Sequence, residues 1–360
     1  MKTPEKLIHK KRFWASLWLA QFFIFYLLSK MDRAVFFFEK IFIETQNVRV
    51  NAFKNIFFSI GDVLYILSGI FLAITCLFLW KRNARKKIWI GLLMGINVLY
   101  FIYQLFWGMM YFQQPLLSRD KIKPLDTEQL KPLAEYYLQK CWTLRKRNPD
   151  KIYRLNSTTT LEQEIKRQQQ AIARQYGKGD SIQICFKPSL YGRLMNYTGI
   201  LGYYNPFTSE SQYNPYLPDI QIPFTLAHET SHQIGFAREE EANFIGFLIG
   251  ENSTDENLKY SAYWFAFKTI LYNISRKDKN YSLQILKNLP KPLLNDYKAE
   301  VKFYREHQGR IQKFFSLTNN LFLKSNRQDG SISYNYFIYL LMDYHKEKGL
   351  HLKMQSQKHK

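Results

Sequence analysis

The sequence predicts an α+β protein: three N-terminal transmembrane helices followed by an α-rich domain with a small sheet. Three observations carry this. Apolar runs are confined to residues 1–113, composition turns polar and proline-punctuated from Gln113, and helical periodicity dominates the remainder. The chain has 360 residues, 46% of them hydrophobic and 17% aromatic, which excludes a disordered polymer. The mean hydropathy of −0.32 conceals the segregation.

The first run, Phe13–Ser29, follows a basic start at Lys10, Lys11 and Arg12. It has no small-residue cleavage site before Lys30, so it is expected to remain as an uncleaved span. The second run covers Val63–Trp80, and the third covers Ile88–Phe112 with Tyr103, Trp107 and Tyr111 crowding its end as a headgroup-level belt. Residues 30–54 read as a partly basic connection between the first two spans. The densest basic clusters are the N-terminus and Lys81–Lys87, and both are expected to stay cytoplasmic. Three spans then put residues 114–360 outside the cytoplasm, on a multi-pass anchor at residues 1–113.

Net charge is +22, from 51 basic and 29 acidic residues. Residues 1–113 hold 15 of the basic and 5 of the acidic groups, so the excess is shared by both halves. No groove-reading or RNA-stacking motif accompanies it. The expected partner is the lipid bilayer, with its anionic headgroups, and no nucleic acid. Cys76 falls inside an apolar run; for Cys141 and Cys185, a disulfide and two buried thiols fit the sequence equally well.

After Pro115, Pro124 and Pro132, helices are expected near Leu133–Arg147 and Leu161–Tyr176. Short strands follow near Ser181–Phe186 and Gly199–Asn205, broken by Pro188 and Pro206. Further helices are expected at Phe224–Ile234, Glu239–Ile249, Tyr260–Ile274, Leu293–Phe315 and Tyr334–Tyr344.

The stretch that carries chemistry is Pro223–Gly250, which contains His228-Glu229-Thr230-Ser231-His232. On a helix, His228 and His232 stand one turn apart on one face, a spacing that lets both imidazoles bind one Zn2+. Glu229 beside them is positioned to take a proton from a zinc-activated water. The chain's seven histidines contain no other pair at that spacing. Gly235 is expected to end the helix in a left-handed turn, and a second helix then opens on Glu239, Glu240 and Glu241.

A third ligand is needed to complete such a site, and this second helix offers two candidates. Glu239 ranks first, because it shares a face with Ala242, Asn243 and Gly246, small residues that permit close approach. Glu241 remains the alternative, on a face with Phe244, Ile245 and Leu248. His307 is a distant third. Asn243 is the candidate to orient a histidine. Tyr203 or Tyr204, from the strand that precedes the motif, and Tyr334 or Lys324 downstream, are candidates to stabilise developing negative charge. Glu210 is expected to stabilise the loop leading to the motif.

The segment from His228 to Asn243 resembles the gluzincin metallopeptidases, in which HExxH is followed by a helix bearing Glu-x-x-Ala/Ser-Asp; here Glu239-Glu240-Glu241-Ala242-Asn243 stands in that place, after a short spacer and with Asn for Asp. The chain is also similar to a family of bacterial membrane proteins catalogued as domain of unknown function 3810. Its three N-terminal spans, LGYYNPFTSE at Leu201–Glu210, AHETSHQIGFAREEEANF at Ala227–Phe244 and LFLKSNRQDGSISY at Leu321–Tyr334 carry that likeness. The resemblance implies a zincin-like metallopeptidase domain on an inner (plasma) membrane anchor. The expected activity is a zinc-dependent hydrolase acting on a peptide or envelope protein. The alternative is a catalytically inactive zinc-binding scaffold or sensor of the cell envelope.

Overall fold

The computed structural model describes residues 7–79, 85–118, 122, 124–147, 155, 158–179, 183–325 and 336–349. Fourteen α-helices and three short strands lie among them, so the chain is helix-rich with one small sheet. The structure divides into two compact units. The first comprises residues 1–114 together with 205–210, and the second comprises 115–204 and 211–360.

The first unit contains α1 (Lys11–Leu28), α2 (Asp32–Phe53), α3 (Ile60–Phe78) and α4 (Arg85–Phe106), closed by a 3-10 turn at Gly108–Phe112. Two of these, α3 and α4, are long and apolar enough to cross a membrane. A third candidate exists only if α1 and α2, bent by 105° at their junction, count as one broken span. This corrects the expectation of three simple spans. Residues 30–54, read as a connection, are mostly helix α2. Its charged residues hid a face on which Val35, Phe38, Phe42 and Val50 are buried. Most of the basic cluster at Lys81–Lys87, and Trp80, lie outside the described residues.

Several buried polar groups inside this unit are paired across helices. Asn97 of α4 accepts from Gln21 of α1 at 3.0 Å and donates to the carbonyls of Trp14 and Leu93. Such pairing is required where no water reaches the helices. Arg49 lies between the rings of Phe42 and Phe106 and donates to the Pro206 carbonyl. Glu210 accepts from the backbone N–H of Gly61 at 2.7 Å and of Ile60 at 3.3 Å, and from Thr208 Oγ1 at 2.9 Å. It thus places a carboxylate at the N-terminus of α3, where the helix dipole favours an anion. Glu210 does stabilise a loop, but its backbone partners lie about 150 residues earlier in the chain rather than before the HExxH helix.

The second unit is built on α5 (Thr127–Arg145), α6 (Thr158–Gln175), α8 (Ile222–Gln233), α9 (Glu239–Glu251) and α10 (Glu256–Ser275). Trp264 and Phe267 of α10, Tyr137 and Leu133 of α5 and Phe247 of α9 are fully buried at its centre. The remaining helices are α7 (Gly192–Thr198), α11 (Lys279–Lys287), α12 (Lys291–His307), α13 (Arg310–Ser325) and α14 (Tyr336–Glu347). A single helix over Leu293–Phe315 was expected; the chain instead breaks at Gln308–Gly309 into α12 and α13. The expectations at Ser181 and Tyr334 fall outside the described residues.

The sheet holds β1 (Phe186–Pro188), β2 (Gly202–Asn205) and β3 (Glu210–Tyr213) in the order β1-β3-β2. β1 runs parallel to β3, with Phe186 opposite Ser211 and Pro188 opposite Tyr213. Gly199, expected to start a strand, instead ends α7 with φ +76°, and β2 begins three residues later. Cys141 and Cys185 are buried thiols rather than a disulfide.

The helices around α10 are joined by buried charge. Arg145 of α5 donates to Asp296 of α12 at 2.8 Å, and both side chains are almost wholly buried. Tyr260 of α10 donates to the same carboxylate at 2.7 Å. Removing one member strands the other charge, so Asp296→Ala should cost about 3–5 kcal/mol and Tyr260→Phe about 1 kcal/mol. Denaturant unfolding of the full chain in detergent checks both values.

Candidate functional site

α8 starts with Pro223 in its first turn, where a missing N–H costs nothing, and Ser261 Oγ accepts from the Phe224 N–H at 3.0 Å. Thr230 and Ser231 return their hydroxyls to the carbonyls of Leu226 and Ala227 at 2.7 Å. That internal bonding lets a helix with little charge be buried on nearly every side. Gly235, at φ +100°, then turns the chain, in a conformation that favours glycine. One residue on, the Phe236 carbonyl comes back to His232 Nδ1 at 2.6 Å. This bond puts the proton on Nδ1 and leaves the Nε2 lone pair for another partner.

α9 begins four residues after Gly235. A Cβ placed at Gly246 would lie only 3.1 Å from the His228 nitrogen, so a glycine there lets the two helices approach closely, as its size suggested. The consequence is a convergence of side chains. Glu239 Oε2 lies 3.5 Å from His228 Nε2, and Glu239 Oε1 lies 3.9 Å from His232 Nε2. Ligand atoms of His228, Glu229 and His232 all fall within 4.8 Å of one another, the arrangement of groups able to hold a metal ion.

Glu241 is turned elsewhere. It accepts from the Leu116 N–H at 2.9 Å and from Arg238 at 3.2 Å, tying the start of this unit to α9. Glu240 is buried and its Oε2 has no hydrogen-bond partner. Asn243 interacts with His228 and favours its charged form, although His228 Nδ1 itself makes no hydrogen bond. The Tyr204 ring lies 6.4 Å from that of His232, whereas the Tyr203 hydroxyl pairs with that of Tyr191 at 2.6 Å in a stacked arrangement. His307 bonds instead to Asn196 and to the Phe303 carbonyl. Lys324 lies on α13, and Tyr334 lies outside the described residues.

Electrostatics separate His228, Glu229 and His232. Burial pushes the Glu229 carboxyl up to about 8, with His228 opposing and Glu239 adding to the shift. Burial drives His232 down to about 4 despite the nearby Glu239 carboxylate. Burial also opposes the charged form of His228, but Glu239, Glu229 and Asn243 together outweigh it and hold the imidazole above its usual value. One imidazole is therefore held neutral and the other drawn towards its partner carboxylate.

Three supporting residues were not singled out from the sequence as site residues. Ser211 of β3 donates to the Glu229 carbonyl at 2.9 Å. Gln233 donates to the Cys185 carbonyl at 2.7 Å, joining α8 to the strand side. Gly202 of β2 sits against the glutamate itself: a Cβ there would be 2.7 Å from Glu229 Cγ and 2.8 Å from the Gln212 carbonyl. A glycine in a strand, immediately before a tyrosine pair, was the only signal of that close approach. Gly202→Ala should destabilise the fold by about 1–3 kcal/mol through overpacking. Combined with Glu229→Ala in a double-mutant cycle, it should show a coupling of about 0.5–3 kcal/mol, read from unfolding transitions.

Comparison with known proteins finds no matching curated protein and no matching solved structure. The family described as "Protein of unknown function (DUF3810)" matches over residues 37–342, from within α2 to within α14, and takes in the HExxH helix and the glutamates that follow it. The chain belongs to that family.

Proposed function

We propose that this protein is a membrane-anchored zinc-dependent hydrolase, a metallopeptidase of gluzincin type acting on a peptide or an envelope protein. The observation that carries the reading is the convergence of two imidazole Nε2 atoms and the Glu239 carboxylate, with Glu229 alongside. The donor set fits the metal. Two nitrogens and an oxygen suit zinc, and their spacing of 3.5 and 3.9 Å is close to the ~3.3 Å edge of a tetrahedron with bonds of about 2.0 Å. His232 is already in the tautomer that offers Nε2.

Held by His228, His232 and Glu239, zinc would supply Lewis acidity towards a scissile carbonyl and make water a competent nucleophile near neutral pH. Glu229 takes the proton from the attacking water on a carboxylate oxygen and passes it to the departing amine. The Phe236 carbonyl orients the His232 imidazole, and Asn243 lies beside His228. β2, at one end of the sheet order beside Glu229, offers main chain along which an extended peptide can align. The basic residues support an orientation with the N-terminus and Lys81–Lys87 cytoplasmic and residues 114–360 outside, and the family resemblance supports a bacterial inner membrane.

Metal analysis of the purified full chain tests the reading. About one zinc per chain is expected, lost in His228→Ala and Glu239→Ala and kept in Glu241→Ala. Glu229→Gln should keep the metal and lower peptide hydrolysis by about 10²–10⁴-fold. A folded chain that takes up no zinc when it is supplied overturns the proposal. A chain that binds zinc and keeps its cellular role as Glu229→Gln is instead a scaffold or sensor.

A further inference from the structure

α13 is amphipathic in the opposite sense to a helix of a soluble domain. Its inward side is formed by Gln312, Asn320 and Leu323, of which only Leu323 is apolar and fully buried. Gln312 seats at the end of α7, where a Cβ on Gly199 would lie 3.3 Å from it. Ile311, Phe314, Phe315, Leu317 and Leu321 lie roughly half a turn round the helix from that side. They are 37–62% exposed among the described residues. A water-facing helix ordinarily buries such a stripe.

The charges on the helix are all of one sign. Arg310, Lys313 and Lys324 are its only ionisable residues; Lys313 and Lys324 stand on one flank of the apolar stripe, and Arg310 caps its N-terminal end. α7, which α13 packs against, adds an exposed Leu194 and the basic Arg193, again with no acidic residue. An apolar face bordered by long basic side chains suits the boundary between acyl chains and anionic headgroups. The stripe enters the hydrocarbon edge, and the lysines reach back to phosphate. A second copy of the same helix would bring like charges together with nothing acidic on the helix to offset them. The chain also carries helices long and apolar enough to cross a membrane, and such a tether raises the effective concentration of lipid for a second contact.

We propose that α13 is an in-plane membrane-surface helix that docks the second unit on an anionic phospholipid bilayer through Ile311, Phe314, Phe315, Leu317 and Leu321. This does not depend on the hydrolase reading, and its test involves no catalysis.

The test uses the full chain in nanodiscs containing phosphatidylglycerol, with Cys76→Ala removing the exposed thiol; Cys141 and Cys185 are buried. Nitroxide labels are attached at Leu317→Cys, at Phe314→Cys and, on the side shared with Gln312 and Asn320, at Ser316→Cys. Labels at 314 and 317 should collide several-fold more with oxygen than with a water-soluble nickel chelate, and the label at 316 should show no such preference. Lys313→Glu with Lys324→Glu should return the 317 label to water. The same oxygen-to-nickel ratio at 316 and 317 overturns the proposal. Shielding of 314 and 317 from both reagents also overturns it, because protein then covers the stripe. Spin–spin broadening in that case identifies the cover as a second copy.

Discussion

The close packing of α8 against α9 is the constraint on which the rest of the candidate site depends. His228 and His232 are a helical turn apart by backbone geometry alone, but their third partner must come from another element. Gly235 reverses the chain within a few residues, and Gly246 removes the side chain that would hold the second helix away from His228. Only then does the Glu239 carboxylate reach both Nε2 atoms. The same turn directs the Phe236 carbonyl onto His232 Nδ1, so one short loop sets both the position of the carboxylate and the tautomer of the imidazole.

Burial decides how the charges behave once they are assembled. Three carboxylates follow one another at the start of α9, yet each has a different environment. Glu239 faces the histidines, Glu240 is enclosed and its pKa raised to about 8, and Glu241 is taken up by Leu116 and Arg238. Similar selectivity appears in the first unit, where Glu210, Asn97 and Arg49 are buried polar groups with identified partners. Unpaired groups in such surroundings would be strongly unfavourable, so these pairings set which helices lie together as firmly as the apolar contacts do.

Much of the second unit was legible because its helices follow strong local signals. The HExxH helix is bounded by Pro223 and Gly235, and α9 and α10 carry long buried faces. Elements that rely on distant partners were not legible. β3 reads Glu-Ser-Gln-Tyr, with nothing in its composition to suggest a strand; it exists because β1 and β2 flank it. α7 and α11 are too short to show a clear period. α12 and α13 merge in sequence because the break at Gln308–Gly309 interrupts no apolar pattern. α2 was obscured by charges that the structure places beside rings or at the surface.

By itself the sequence determined what local geometry can determine. It set the apolar runs, the pairing of His228 with His232 at one helical turn, the position of Glu229 beside them, and the turn at Gly235. These depend on residues within a few positions of one another, where backbone periodicity and glycine's left-handed conformation leave little choice. Only the tertiary structure decided that Glu239 rather than Glu241 faces the histidines, and that Gly202 lies against Glu229. It also decided that the apolar stripe of α13 points away from the protein. Each of these follows from the rotation and approach of one element against another, and that is settled by close packing and the pairing of buried polar groups across the whole unit.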